Sequence, residues 1–73
     1  MSELLEVVHR IGVVLDAIEF YMSITRSSVA TNRFDEADLK NVDKAIRAAE
    51  ELLGHLKELR KLIEENVEDG EEE

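Results

Sequence analysis

The sequence contains no cysteine, no proline and no tryptophan, only three glycines, and aromatic residues make up 4% of its 73 positions. Each absence excludes something. Without cysteine there is no disulfide framework, no thiolate metal site and no cysteine nucleophile. Without proline, and with glycine scarce, nothing marks a linker between separate domains, so the chain reads as one unit. No run approaches the roughly 18 apolar residues needed to span a bilayer. Glu3 and Glu6 stand where a signal peptide would carry positive charge, so a cytoplasmic protein without membrane association is expected. No Asn-x-Ser/Thr acceptor and no Gly-rich phosphate loop is present.

Charge is abundant by contrast, at 37% of residues, and unevenly placed. The formal net charge is −9, from 18 acids and 9 bases. Residues 64–73 hold seven of the acids and no base, which leaves 11 acids against 9 bases in residues 1–63. The body is thus nearly neutral, and the acidity is mostly a tail. A block of like charge repels itself and stays solvated. It also follows the negative end of a helix macrodipole, which disfavours continued helix. Residues 67–73 are therefore expected to form a disordered acidic tail. No Lys/Arg stripe interleaved with aromatics exists, so no direct nucleic-acid contact is expected.

The rest is two helical patterns around a short break. The first runs over 3–30, with Ser2 placed as N-cap. Leu4, Val7, Ile11, Val14, Ile18, Tyr21, Thr25 and Ser28 alternate by three and four, a heptad series. The adjoining positions Val8, Leu15, Met22 and Val29 are apolar too. A second apolar row, Val13, Ala17, Phe20 and Ile24, leaves only a narrow polar strip through His9, Gly12, Asp16, Glu19, Ser23 and Arg26. A helix apolar on nearly every side must be buried on nearly every side, and one partner helix cannot do that.

The turn is expected over 31–35. Asn32 suits a left-handed C-terminal cap. Asp35 with Asp38 three residues on forms a variant capping box, and Phe34 with Leu39 forms a hydrophobic staple. The second helix, over 36–66, carries the seam Leu39, Val42, Ile46, Ala49, Leu53 and Leu56, flanked by Ala45, Leu52, Leu59 and Ile63. Ala45, Ala48 and Ala49 permit close helix approach. Lys40, Lys44, Arg47, Glu50, Glu51, Lys57, Glu58 and Lys61 populate its wet side, with Glu36–Lys40 and Asp43–Arg47 at ion-pair spacing.

Few constellations suggest chemistry. Glu6-Val7-Val8-His9 has the Glu-x-x-His spacing of di-iron bundles, but Glu6 and His9 lie off the seam, and a Glu6–Arg10 pair explains them more simply. His55 between Glu51 and Glu58 makes at most a weak, nonspecific cation site. Asp16 and Glu19 form a carboxylate pair, the minimum for acid–base work, and read more simply as the wet strip of their helix. No catalytic, cofactor-binding or metal residues are therefore assigned, and an enzyme is not expected.

The fold class expected is all-α: a two-helix antiparallel hairpin that dimerises into a four-helix bundle. A lone hairpin has no interior, and below about 70–80 residues oligomerisation is one of the few remaining staples. The dimer core is expected to comprise Leu4, Val7, Ile11, Val14, Ile18, Tyr21, Leu39, Val42, Ile46, Ala49, Leu53 and Leu56. Val13, Phe20 and Ile24 either lie within that homodimer or form a face for another protein. The function expected is a protein–protein interaction or assembly module. The alternative is a small acidic regulator or inhibitor that uses its C-terminal tail on a basic, nucleic-acid-associated partner protein.

Overall fold

The structure, a computed structural model, describes residues 2–67; residues 68–73, and with them most of the acidic tail, lie outside the described residues. Two α-helices account for nearly all of it: α1, Glu3–Thr31, and α2, Glu36–Asn66. They fold back on each other as a hairpin, and no strand occurs among the described residues. At 1.5 Å per residue each helix is about 45 Å long. The molecule measures 56 × 27 × 15 Å, one helix thick.

Local chemistry sets the ends. At the start of α1 the Ser2 hydroxyl accepts the Leu5 N–H at 3.1 Å, satisfying one of the four amides that lack an intrahelical partner. At its end Asn32 adopts φ 57° and ψ 40°, the left-handed conformation that asparagine tolerates better than most residues. That conformation turns the chain so that the Asn32 and Arg33 N–H groups bond to the Val29 and Ser28 carbonyls, at 3.1 and 3.0 Å. α2 then opens with a complete capping box. The Asp35 carboxylate accepts the Ala37 and Asp38 N–H groups, and the Asp38 carboxylate accepts the Asp35 N–H at 3.0 Å. Phe34 and Leu39, spaced for a staple, both stay largely exposed.

Asp38 also joins the two helices. Its other oxygen accepts the Ser28 hydroxyl at 2.7 Å, so one carboxylate ties the last turn of α1 to the first turn of α2. It is 7% exposed, the one charged side chain buried among the described residues. The Ser28 hydroxyl, then the Asp35 amide, hold its pKa below the ordinary aspartate value, against the opposing effect of burial.

Down the hairpin, Val7 (0% exposed) and Val14 (6%) of α1 and Ala45 (8%) of α2 are buried between the helices. These three are the only hydrophobic residues fully buried among the described ones. Leu4, Ile11, Ile18 and Tyr21 are half-buried, as are Ala48, Leu52, His55 and Leu59 on α2. The row that turns towards α1 is therefore Ala45, Leu52 and Leu59, the one that flanks the α2 heptad seam. The seam itself faces elsewhere: Leu39, Ile46, Ala49, Leu53 and Leu56 are exposed, and only Val42 is half-buried. Alanines at 45 and 48 explain the choice, because short side chains let the helix backbones approach where Leu or Ile would hold them apart.

Candidate interaction surface

A hairpin one helix thick has two broad faces, and the side chains lining the grooves between the helices identify which is which. Val13, Ala17 and Tyr21 of α1 border an open groove together with Lys44, Arg47 and Glu51 of α2. Further along, His9, Arg10 and Val13 border a second groove with Glu51 and His55. These residues define one face, which is mixed in character. Arg10 reaches both Glu6 (3.7 Å) and Glu58 across the helices (3.9 Å). His55 lies 3.4 Å from Glu51. The Lys44 ammonium sits 5.9 Å from the centre of the Tyr21 ring, within cation–π range.

The opposite face is apolar across its width. On a helix, Leu4, Val8, Ile11, Leu15, Ile18 and Met22 occupy the side of α1 turned away from Val13 and Ala17. On α2, Val42, Ala49, Leu56 and Ile63, edged by Leu39, Ile46 and Leu53, occupy the side turned away from Lys44 and Glu51. The two stripes lie side by side along the whole hairpin. Leu39 is 67% exposed, Ile46 51% and Leu53 52%. By heptad spacing, the single charge within the α2 stripe is Arg60.

The whole chain exposes 5853 Å². A compact folded monomer of 8.3 kDa exposes about 4,600 Å², so the excess is roughly 1,200 Å². The radius of gyration, 17.1 Å, likewise exceeds the roughly 11 Å of a compact domain this size.

The remaining sequence-predicted residues fall as follows. Val13 borders the groove, and by helical spacing Phe20 (63% exposed) and Ile24 share its side of α1, away from the broad apolar face. Phe20 shares its surroundings with Asp16, Glu19, Ser23 and Arg26, a shallow patch on one helix, and stacks edge-on against Tyr21 with ring centres 5.9 Å apart. Of the dimer-core residues, Val7 and Val14 are already buried inside one hairpin; Leu4, Ile11 and Ile18 stand at the border of the apolar face. Glu6 is held by Arg10, and among the described residues no three His, Asp or Glu side chains converge as metal ligands. The Glu36–Lys40 and Asp43–Arg47 pairs do not close to within 4 Å. Exposed ion pairs gain too little to hold two long side chains in one geometry. Sequence reasoning did not anticipate the Ser28–Asp38 bond, because residues ten apart meet only through the turn. Nor did it anticipate Thr25, whose buried hydroxyl has no hydrogen-bond partner. No helix among the described residues is long and apolar enough to cross a membrane.

In comparisons with known proteins, no family model matches the chain, no curated protein matches its sequence, and no solved structure matches its fold.

Proposed function

We propose that this chain is a non-enzymatic assembly module that works as a homodimer, two hairpins closing their broad apolar faces on each other into a four-helix bundle. The observation that carries the reading is the apolar face itself, which runs across both helices from Leu4 and Ile63 at the open end to Val29 and Leu39 at the turn with Arg60 as its one charge. Large contiguous apolar patches on a soluble protein mark interaction sites. Closing the faces buries the apolar sides of α1 that one neighbouring helix cannot cover.

In such a dimer the two groove faces point outward and away from each other. Val13, Phe20 and Ile24 then form the candidate docking row for a further protein, presented twice, back to back. Sedimentation equilibrium tests the dimer directly: a species of twice the 8.3 kDa chain mass is expected, with a melting temperature that rises with protein concentration. A compact monomer with concentration-independent melting at micromolar concentration overturns the reading.

The acid-only composition of residues 64–73 supports a second reading, a regulator that engages a basic partner through that segment. Deleting residues 66–73 separates the two. The assembly module keeps its self-association and its partner; the regulator loses its partner.

A further inference from the structure

The homodimer reading leaves two ways to lay one apolar face on the other. With the turns at the same end, α2 packs along α1 of the partner. With the turns at opposite ends, α2 packs antiparallel along α2 of the partner, and α1 along α1. Resting on that reading, we infer that the two hairpins pack with their turns at opposite ends, joined by ion pairs between Asp43 of one subunit and the Lys57–Arg60 segment of the other.

The charges beside the apolar stripe carry this. Along the edge of α2 that borders the stripe, the N-terminal half is acidic, with Asp43 and Glu50. The C-terminal half is basic, with Lys57 and Lys61 at the edge and Arg60 inside the stripe itself. The midpoint of α2, Glu36–Asn66, falls near residue 51. Asp43 therefore lies about as far on one side of the midpoint as Lys57 and Arg60 lie on the other. A two-fold axis crossing α2 near its midpoint sets Asp43 opposite the partner subunit's Lys57 and Arg60, and does so twice by symmetry.

An Arg within an apolar stripe needs an acceptor when the stripe is covered, and this arrangement supplies one. The same-end arrangement does not. The hairpin levels Val14 with Glu51 and Tyr21 with Lys44, since they border one groove. Arg60 is thereby level with the first turns of α1, whose apolar-face residues are Leu4 and Val8. The same-end dimer would press Arg60 onto Leu4 and Val8 of the partner subunit, beside the positive end of a helix dipole. It would also bring Glu50 level with Asp16 of the partner subunit. The opposite-end dimer has one like-charge approach of its own, Glu50 near its own copy at the axis. That contact is at the solvent edge, where such pairs cost little.

The absence of cysteine makes a clean cross-linking test. Chains carrying Asp43→Cys and chains carrying Arg60→Cys are mixed and treated with a short bis-maleimide. Cysteines at 43 and 60 of a single chain lie about 25 Å apart along α2, so no intrachain link competes. Covalent dimers are expected from the mixture and not from either variant alone. A mixture of Ser23→Cys and Asp43→Cys chains, the pair the same-end packing would bring together, should fail to link. Linking by that second mixture in place of the first overturns the arrangement while leaving the homodimer standing. Failure of the unmodified protein to sediment as a dimer overturns the underlying reading instead.

A charge exchange gives an independent measure. Asp43→Arg is expected to weaken dimerisation roughly 2- to 10-fold, with Asp43→Arg/Arg60→Asp restoring it. Additive weakening by the two changes counts against the pair.

Discussion

The two faces of this hairpin are built from the same two helices and differ in what they lack. The groove face has apolar residues, but each is broken up by charge: Val13 by Arg10, Tyr21 by Lys44, and Phe20 by Asp16. The opposite face has apolar residues in two adjoining stripes with one interruption, Arg60. Scattered surface hydrophobics are ordinary in soluble proteins; a continuous run of them is not. Continuity, more than the number of apolar residues, therefore separates a surface at rest in water from one that calls for a partner.

The strongest way to break this contrast is to place a charge on each face. Ile46 is 51% exposed in the hairpin, so a single hairpin should hardly register Ile46→Asp. In the closed dimer the same change buries an unpaired carboxylate, and dissociation or unfolding is expected. Lys44→Asp on the groove side should stay within about 0.5 kcal/mol of the parent, as surface substitutions do. Concentration-dependent circular dichroism melts measure both. Equal tolerance of the two changes would erase the distinction between the faces.

The next largest effect is expected at the turn, where the faces meet and the hairpin is tied by Asp38. Its carboxyl titrates lower in the folded chain than in the unfolded one, because the Ser28 hydroxyl and the Asp35 amide bond the charged form. The contribution is thus fully present above the unfolded value of about 3.8 and lost as pH falls through the lower folded value. Melting temperature measured from pH 6 down to pH 2 should drop more steeply below about pH 4 for the parent than for Asp38→Asn. Parallel curves would mean that the clasp does not contribute.

These two predictions draw on information of different range. The helix ends were legible because their signals are local: a hydroxyl at Ser2, an asparagine at 32 and two aspartates three apart each act on backbone within a few residues. The apolar rows were legible as rows. Which α2 row meets α1 was not, because Leu39–Ile46–Leu53 and Ala45–Leu52–Leu59 are both apolar with heptad spacing. The choice rests on how closely two backbones approach, which depends on Ala45 and Ala48 lying beside Ala17 and Tyr21 across the hairpin. The Ser28–Asp38 bond was hidden for a similar reason, since neither residue type announces a partner ten positions away.

A smaller effect should sharpen the apolar face. The Thr25 hydroxyl lies buried between the helices with no partner, while the Ser28 and Thr31 hydroxyls bond to other groups. Removing an unsatisfied buried hydroxyl recovers part of its desolvation cost. Thr25→Val is expected to stabilise the protein by about 1 kcal/mol in denaturant unfolding. Destabilisation would show that the hydroxyl has a partner in the assembled state.

The smallest effect on stability, and the most informative about function, is expected at Phe20. A phenylalanine inside a core costs about 3–5 kcal/mol when truncated. Phe20 is 63% exposed and lies on the groove side with Val13 and Ile24, so neither the hairpin nor the face-to-face dimer encloses it. Phe20→Ser should therefore leave the sedimenting species unchanged and shift stability by less than about 0.5 kcal/mol. Losses of several kcal/mol, or dissociation, would place Phe20 within the self-interface and make the groove face the one that closes. If the dimer survives intact, an exposed aromatic flanked by Val13 and Ile24 is left without a structural reason to be there. Large apolar side chains anchored on a rigid helix are what protein partners most often grip. Loss of a partner's binding in the Phe20→Ser variant, with the dimer intact, would then assign the two faces separate tasks: one for self-assembly, the other for recognition.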